Sequence, residues 1–324
     1  MTAILEQRPY GRTGQQTTVI GLGGARLASQ SFADGVATAR RALELGVTYF
    51  DTSPMYGKGA SQAILGEALE GRPEPHLLAT KLGYLASPAA FRSPEALRAQ
   101  HWENLRLLRR DSVDVLQVHE ADQHHWWSDD TRQQGRLRPE AEYDFATAPV
   151  MQVLQEEQAQ GRCRLIGITG NYPAPLARIL QHVEVDVCLS ASNYDPIWRG
   201  TRHQLLQVAQ DQGIAVILGG VFQAGRLLAV PFDWQQASPT WLTPEVRSRV
   251  ERLHALQQES GLSLVTLILR FLVADPVLST VLVGAAVPAE IEESVAAIRA
   301  GPLPADLHQA IETLGLPAQQ ASRA

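Results

Sequence analysis

The chain has 324 residues, 45% of them hydrophobic, and a net charge of −6 at pH 7, so it can bury a large core and fits one big barrel or two ordinary domains. The acidic balance and the lack of a basic run argue against a nucleic-acid or anionic-membrane partner. No stretch reaches the roughly 20 apolar residues of a membrane span. The N-terminal MTAILEQRPYGRTGQ has no uninterrupted apolar core of a signal peptide, and Cys163 and Cys188 are too few for a disulfide framework. A cytoplasmic protein with reduced, packed thiols is expected.

In chain order, residues 1–18 form an N-terminal segment, and the apolar run VIGLGG (19–24) predicts the first strand, followed by a helix at 32–45. TYFDT (48–52) precedes a helix at 61–70, HLLATK (76–81) one at 94–109, and VDVLQVH (113–119) one at 147–160. CRLIGIT (163–169) precedes 175–181, VDVCLS (185–190) precedes 200–212, AVILGG (215–220) precedes 262–274, and TVLVG (280–284) precedes 288–299. Strands and helices alternating eight times predict an α/β fold, a (β/α)8 TIM barrel, as one domain over 1–324. A doubly wound sheet would need a GxGxxG turn, and GLGGAR (21–26) lacks the third glycine. Long tryptophan-bearing insertions follow strands 4 and 7, at 121–146 and 226–246, and the tail 316–324 is expected to fray.

Asp51, Tyr56, Lys81 and His119 each fall at or just beyond a predicted strand end, so the barrel would gather them at its catalytic face. Taken singly, Asp51 reads as a turn former, Tyr56 as a core cap, Lys81 as a snorkelling cation and His119 as a satisfied core histidine. Together they form a proton-handling set. A free tyrosine, with a pKa of about 10, is a poor base at neutral pH. A nearby ammonium lowers that value, and a carboxylate keeps the ammonium charged inside the protein.

The ordered motifs GVTYFDTSPMYG (46–57), ATK (79–81), DVLQVH (114–119), GITGN (167–171) and VLVGAAVPAEIEESVAA (281–297) make the chain resemble the aldo-keto reductase superfamily over nearly its whole length. Through GGVFQAGRLL and VDVCLSASNYD it is most similar there to the L-galactose dehydrogenase and D-threo-aldose (L-fucose) 1-dehydrogenase group. The resemblance implies a nicotinamide cofactor and a tetrad in which Tyr56 carries the proton, Lys81 tunes it, Asp51 supports Lys81, and His119 orients the substrate oxygen.

The same resemblance places the cofactor beside Gly23, Gly24 and Asp51, with Thr169, Asn171 and Ser190 as the carboxamide cradle. In that cradle Gly170 stands where the family has a serine, and the family's glutamine falls at Leu189 or Ser190. Gly219 replaces a stacking tyrosine, Phe222, Gln223 and Gly225 would line the pyrophosphate, and Gly284, Ala286, Glu290, Glu293 and Ser294 would hold the far end. Glu290 stands where NADP-using relatives carry a cation, and GAAVP before it offers none. A carboxylate repels a 2′-phosphate but accepts from a free ribose 2′-hydroxyl. NAD is therefore expected over NADP.

An NAD-preferring member suggests oxidation of an aldose at C1 to a lactone, with an L-fucose, L-galactose or D-arabinose type of substrate. Trp126 and Trp127 would stack a sugar face beside Tyr56 and His119, with Asp122, His124, His125 or Asp129 reading hydroxyls, and Trp234 and Trp241 would cover the cofactor. An adjacent His–His pair without a spaced third ligand predicts no metal. Alternatives are a general aldehyde or ketone reductase, a pyridoxal 4-dehydrogenase, or a nicotinamide-binding protein without turnover. With no exposed heptad recognisable, a monomer acting on a small molecule is the default.

Overall fold

The computed structural model describes residues 4–130, 135–235, 237 and 239–317. A short antiparallel hairpin of β1 (Gln7–Pro9) and β2 (Gln16–Thr18) leads into eight parallel strands: β3 (Ile20–Gly23), β4 (Tyr49–Asp51), β5 (Leu77–Leu82), β6 (Val113–Val118), β7 (Cys163–Gly170), β8 (Val187–Ala191), β9 (Ala215–Gly219) and β10 (Leu278–Gly284). The eight close in the order β10-β3-β4-β5-β6-β7-β8-β9, a (β/α)8 TIM barrel as expected. The helices are α1 (Phe32–Glu44), α2 (Ala60–Leu69), α3 (Pro94–Leu108), α4 (Pro149–Ala159), α5 (Pro173–Leu180), α6 (Gly200–Gln204), α7 (Leu206–Asp211), α8 (Pro244–Ser260), α9 (Leu264–Leu272), α10 (Pro288–Arg299) and α11 (Ala305–Glu312).

Alternation along the strands builds two cores. Tyr49, Leu77, Ala79, Val115, Val187, Leu189, Ala215, Ile217 and Leu282 pack together inside the barrel. Their neighbours in sequence, among them Phe50, Leu78, Leu116, Cys188, Val216 and Val283, belong to the larger core shared with the helices. Tyr10, just beyond β1, joins the inner core, and its hydroxyl donates to the Tyr49 hydroxyl at 3.0 Å. The hairpin thereby plugs the barrel on the side where its strands begin, leaving the strand C-termini as the open mouth.

Four features differ from the sequence expectation. The segment 200–212 is two helices, because Leu205 leaves helical geometry at φ −123° and ψ −41°. The insertion expected over 226–246 ends at Thr243, whose side chain accepts from Val246 N–H and starts α8, a helix that escaped the reading. The sequence also left α11 unassigned. Fraying does not begin at 316: Leu316 N–H donates to Ile197 O at 2.7 Å, while 318–324 lie outside the described residues.

Candidate active site

The mouth gathers the four residues from adjacent strand ends. Asp51 ends β4, Lys81 lies in β5 paired in register with Gln117 of β6, and His119 follows β6, while Tyr56 opens a 3-10 turn after β4. Lys81 Nζ forms an ion pair with Asp51 Oδ1 and donates to Thr52 O at 2.8 Å. Gln117 Nε2 donates to the other oxygen of Asp51 at 3.1 Å, so the carboxylate is fixed from two sides. Lys81 Nζ stands 5.0 Å from the Tyr56 ring centroid, and the Tyr56 ring meets His119 edge-on at 5.8 Å.

Burial and charge set the proton states. For Lys81, burial alone favours loss of the proton, but Asp51 and then Tyr56 outweigh it and raise its pKa. Burial raises the pKa of Tyr56, with Asp51 and Glu120 adding to it, while Lys81 pulls in the opposite direction. Lys81 thus opposes the rise, but the net shift is upward, against the lowered value expected, because the phenolate is poorly solvated. Burial, reinforced by the Lys81 charge, holds His119 well below the usual histidine value, so it is neutral at neutral pH. Ser53 Oγ lies 2.9 Å from His119 Nδ1 and accepts from Met55 N–H at 3.2 Å. Nδ1 is thus engaged by Ser53, which fixes the ring and leaves Nε2 as the nitrogen available to a substrate.

A groove of about 330 Å³ runs from Asp51 and Tyr56 across the mouth to α10. Of the residues assigned to cofactor binding, Gly23, Asp51, Gly219, Phe222 and Gly225 line it, as do Gly284, Glu290, Glu293 and Ser294 at its far end. Its volume falls within the range of about 300–1,000 Å³ usual for ligand clefts. Gly219 and Leu189 form an apolar stretch of its wall, so no hydrogen-bonding side chain stands where the glutamine was sought.

Other assigned residues are placed differently. Gly24 is a packing glycine: a Cβ there would stand 2.5 Å from Ser61 Oγ and 2.8 Å from Asp51 O. Ser190 Oγ hydrogen-bonds Thr201 at 2.7 Å, away from the groove, because strand alternation turns Leu189 inward instead. Gln223 points into the protein, its Nε2 donating to Asp195 at 2.6 Å and to Ser192 O at 2.8 Å. Thr169 Oγ1 accepts from Glu120 N–H at 3.1 Å, Asn171 Nδ2 donates to Glu120 Oε1 at 3.1 Å, and Ala286 N–H donates to Glu290 Oε2 at 2.7 Å. Gly170, where the family has a serine, leaves no room for a side chain, because a Cβ there would stand 2.9 Å from the Asp122 carboxyl carbon. Asp122 Oδ2 accepts from the N–H groups of Asn171 and Tyr172 at 2.9 and 3.0 Å.

The expected sugar-stacking faces are corrected. Trp126 and Trp127 are fully buried, and their Nε1–H groups donate to His119 O and Ala121 O, so they brace the loop under the mouth. Trp241 is also fully buried, against Trp198 and Phe232. Asp129 is ion-paired with Arg92. The sequence reading also missed Arg26. Its stem lies over Gly284, and its guanidinium reaches Glu290 at 3.3 Å, so the first βα loop supplies a cation to the end of the groove where none was expected. Its position directly after the first strand, in GGAR, was the available signal.

The closed parallel barrel, with a buried Lys–Asp pair under a tyrosine and a histidine at its mouth, is the framework of a family of oxidoreductases. The chain belongs to the aldo/keto reductase family, whose model matches residues 19–315. It is similar to L-galactose dehydrogenase of Arabidopsis thaliana, with 32% identity over 92% of this chain and 89% of that protein. It is also similar to pyridoxal 4-dehydrogenase of Microbacterium luteolum, with 27% identity over 90% of this chain and 92% of that protein. The holo form of an aldo-keto reductase from Bacillus halodurans superposes with a TM-score of 0.74 over 97% of both chains at 22% identity, a likeness of fold. Members of the family use nicotinamide cofactors, and this chain is accordingly a nicotinamide-dependent oxidoreductase. No helix among the described residues is long and apolar enough to cross a membrane.

Proposed function

We propose that the protein oxidises the C1 hydroxyl of a neutral aldose to a lactone, with NAD preferred over NADP. The observation that carries this reading is Lys81, kept charged by buried Asp51, 5.0 Å from the Tyr56 ring at the end of a groove that reaches from Asp51 to α10. The groove residues Gly23, Gly219 and Gly284 would let a dinucleotide approach the backbone closely. A nicotinamide held in the groove would supply the hydride acceptor. Tyr56, as phenolate, takes the proton from the C1 hydroxyl as the C1 hydride leaves and the carbonyl forms. Lys81 stabilises that phenolate, and His119 donates from Nε2 to the same substrate oxygen. The similarity to L-galactose dehydrogenase supports an aldose of the L-galactose, L-fucose or D-arabinose type.

The cofactor preference rests on charge. Glu290 neutralises Arg26, and Glu293 adds a second carboxylate to the same wall, leaving that end unfavourable to a 2′-phosphate. The raised pKa of Tyr56 favours a second reading, carbonyl reduction, because a protonated phenol at neutral pH is ready to give its proton away. The assay that separates them follows reduced-nicotinamide absorbance with NAD or NADP against aldoses and pyridoxal, and in reverse against aldehydes. NADH formation with one aldose supports the dehydrogenase; turnover confined to NADPH and aldehydes overturns it.

A further inference from the structure

Beside His119 sits a carboxylate that neither gives nor takes the reacting proton. Glu120 follows β6 with φ 52°, in the left-handed region that non-glycine residues adopt at an energetic cost. Tyr84, just beyond β5, has φ 57°. Two strained residues at neighbouring strand ends mark a constrained part of the mouth, and such strain persists where the surroundings impose it. A residue following an inward-facing histidine in regular extended chain would point toward the helices. The left-handed turn at Glu120 instead brings its carboxylate to Asn171 Nδ2, at 3.1 Å, and near enough to Tyr84 for its charge to raise the Tyr84 pKa. The Tyr84 ring stands 4.9 Å from His119, and the His119 ring stands 5.8 Å from Tyr56. Tyr56, His119, Tyr84 and Glu120 therefore cluster about the reacting centre, and Tyr84 is half exposed.

We propose that Glu120 is a specificity-determining residue that accepts a hydrogen bond from a substrate hydroxyl beyond the reacting carbon and turns away anionic substrates. The chemistry follows from the group. An ionised carboxylate is acceptor-only and can take several donors, so Asn171 on Oε1 leaves it capacity for a sugar hydroxyl. A phosphate or carboxylate on the substrate would meet it as a like charge, at a mouth where partial burial weakens screening. Asn171 orients the acceptor, and the strained turn holds it there. This inference rests on the proposed reading of the site as one acting on a hydroxylated substrate.

The test uses the full chain and three aldehydes with the better cofactor: glyceraldehyde, neutral and hydroxylated; glyceraldehyde 3-phosphate, anionic; and benzaldehyde, with neither group. In Glu120→Gln the kcat/KM ratio of glyceraldehyde to benzaldehyde falls about tenfold or more, mostly through KM, and the ratio of the phosphate to glyceraldehyde rises. Glu120→Asp keeps the charge and continues to reject the phosphate, which covers the case of a Gln variant that fails to fold. Equal changes for all three substrates, or no change in the ratios, overturn the inference. Shifted ratios in a protein that oxidises no aldose would sink the proposed function and leave the role of Glu120 standing. A protein silent on every substrate overturns both.

Discussion

Asp51 and Lys81 form an ion pair whose side chains are only 3% and 1% exposed, and the pair joins the end of β4 to the middle of the mouth. Removing one partner leaves a charge in a place where water cannot reach it. Asp51→Asn and Lys81→Met should each destabilise the fold by about 3–5 kcal/mol in urea unfolding, and the double variant, which leaves no buried charge, by less than their sum. Losses under about 1 kcal/mol would mean that the pair is solvated like a surface one.

Tyr56→Phe removes a hydroxyl and no charge from the neutral state, so the fold should hold while turnover falls by about 10²–10⁴-fold. The raised pKa of Tyr56, caused first by burial, gives the sign of the pH dependence. Oxidation needs the phenolate and should rise with pH through the alkaline range; reduction needs the phenol and should be flat until it falls there. Lys81 opposes the upward shift, so a Lys81→Met enzyme with residual activity should show its alkaline limb at higher pH. A profile that does not move would remove Lys81 as the tuner.

Strands and tetrad were legible because both depend on local pattern: short apolar runs bounded by turns, and chemistry-bearing residues at strand ends. What was not legible depends on distant partners. β1 and β2 are polar three-residue strands that exist through each other, and Tyr10 gains its meaning only from Tyr49. In α8 the buried Val246, Val250, Leu253 and Leu256 form an adequate helical stripe, but the more apolar α9 had already filled the place of the helix after the seventh strand. Trp126 and Trp127 were taken for a sugar platform because loop tryptophans suggest ligands. Their N–H groups reach backbone carbonyls of their own loop, a satisfaction of polarity that sequence does not display.

Arg26, in the turn after β3, and Glu290, in the first turn of α10, meet at the end of the groove, and their contact bears on cofactor choice. Glu290 also accepts from Ala286 N–H, so its carboxylate is tied to its own loop as well. Glu290→Gln should release Arg26 toward a 2′-phosphate and raise NADP affinity by about tenfold, with little effect on NAD. Binding titrations of both cofactors by tryptophan fluorescence would show it. Arg26→Ala in the same background should reverse the gain; a gain that survives would place the phosphate elsewhere.

Asp122 is a buried carboxyl whose Oδ1 has no hydrogen-bond partner among the described residues. Burial raises its pKa from 3.8 to about 6, against the pull of the Asn171 and Tyr172 N–H groups. Since the folded value lies above the unfolded one, the folded chain holds the extra proton between them. The stabilising contribution is complete below the unfolded value and is lost as pH rises through about 6. Above that, the native protein carries an ionised carboxylate against its solvation, a cost of up to about 3 kcal/mol. Asp122→Asn keeps a carbonyl oxygen for the two backbone donors and cannot ionise. Its unfolding free energy should therefore lack the decline that the native protein shows across this window, so that the variant gains relative stability at about pH 7.5 over pH 4. Parallel pH dependences for the two proteins would show that Asp122 titrates as an ordinary carboxyl, and the packing of Gly170 against it would then need a hydrated site.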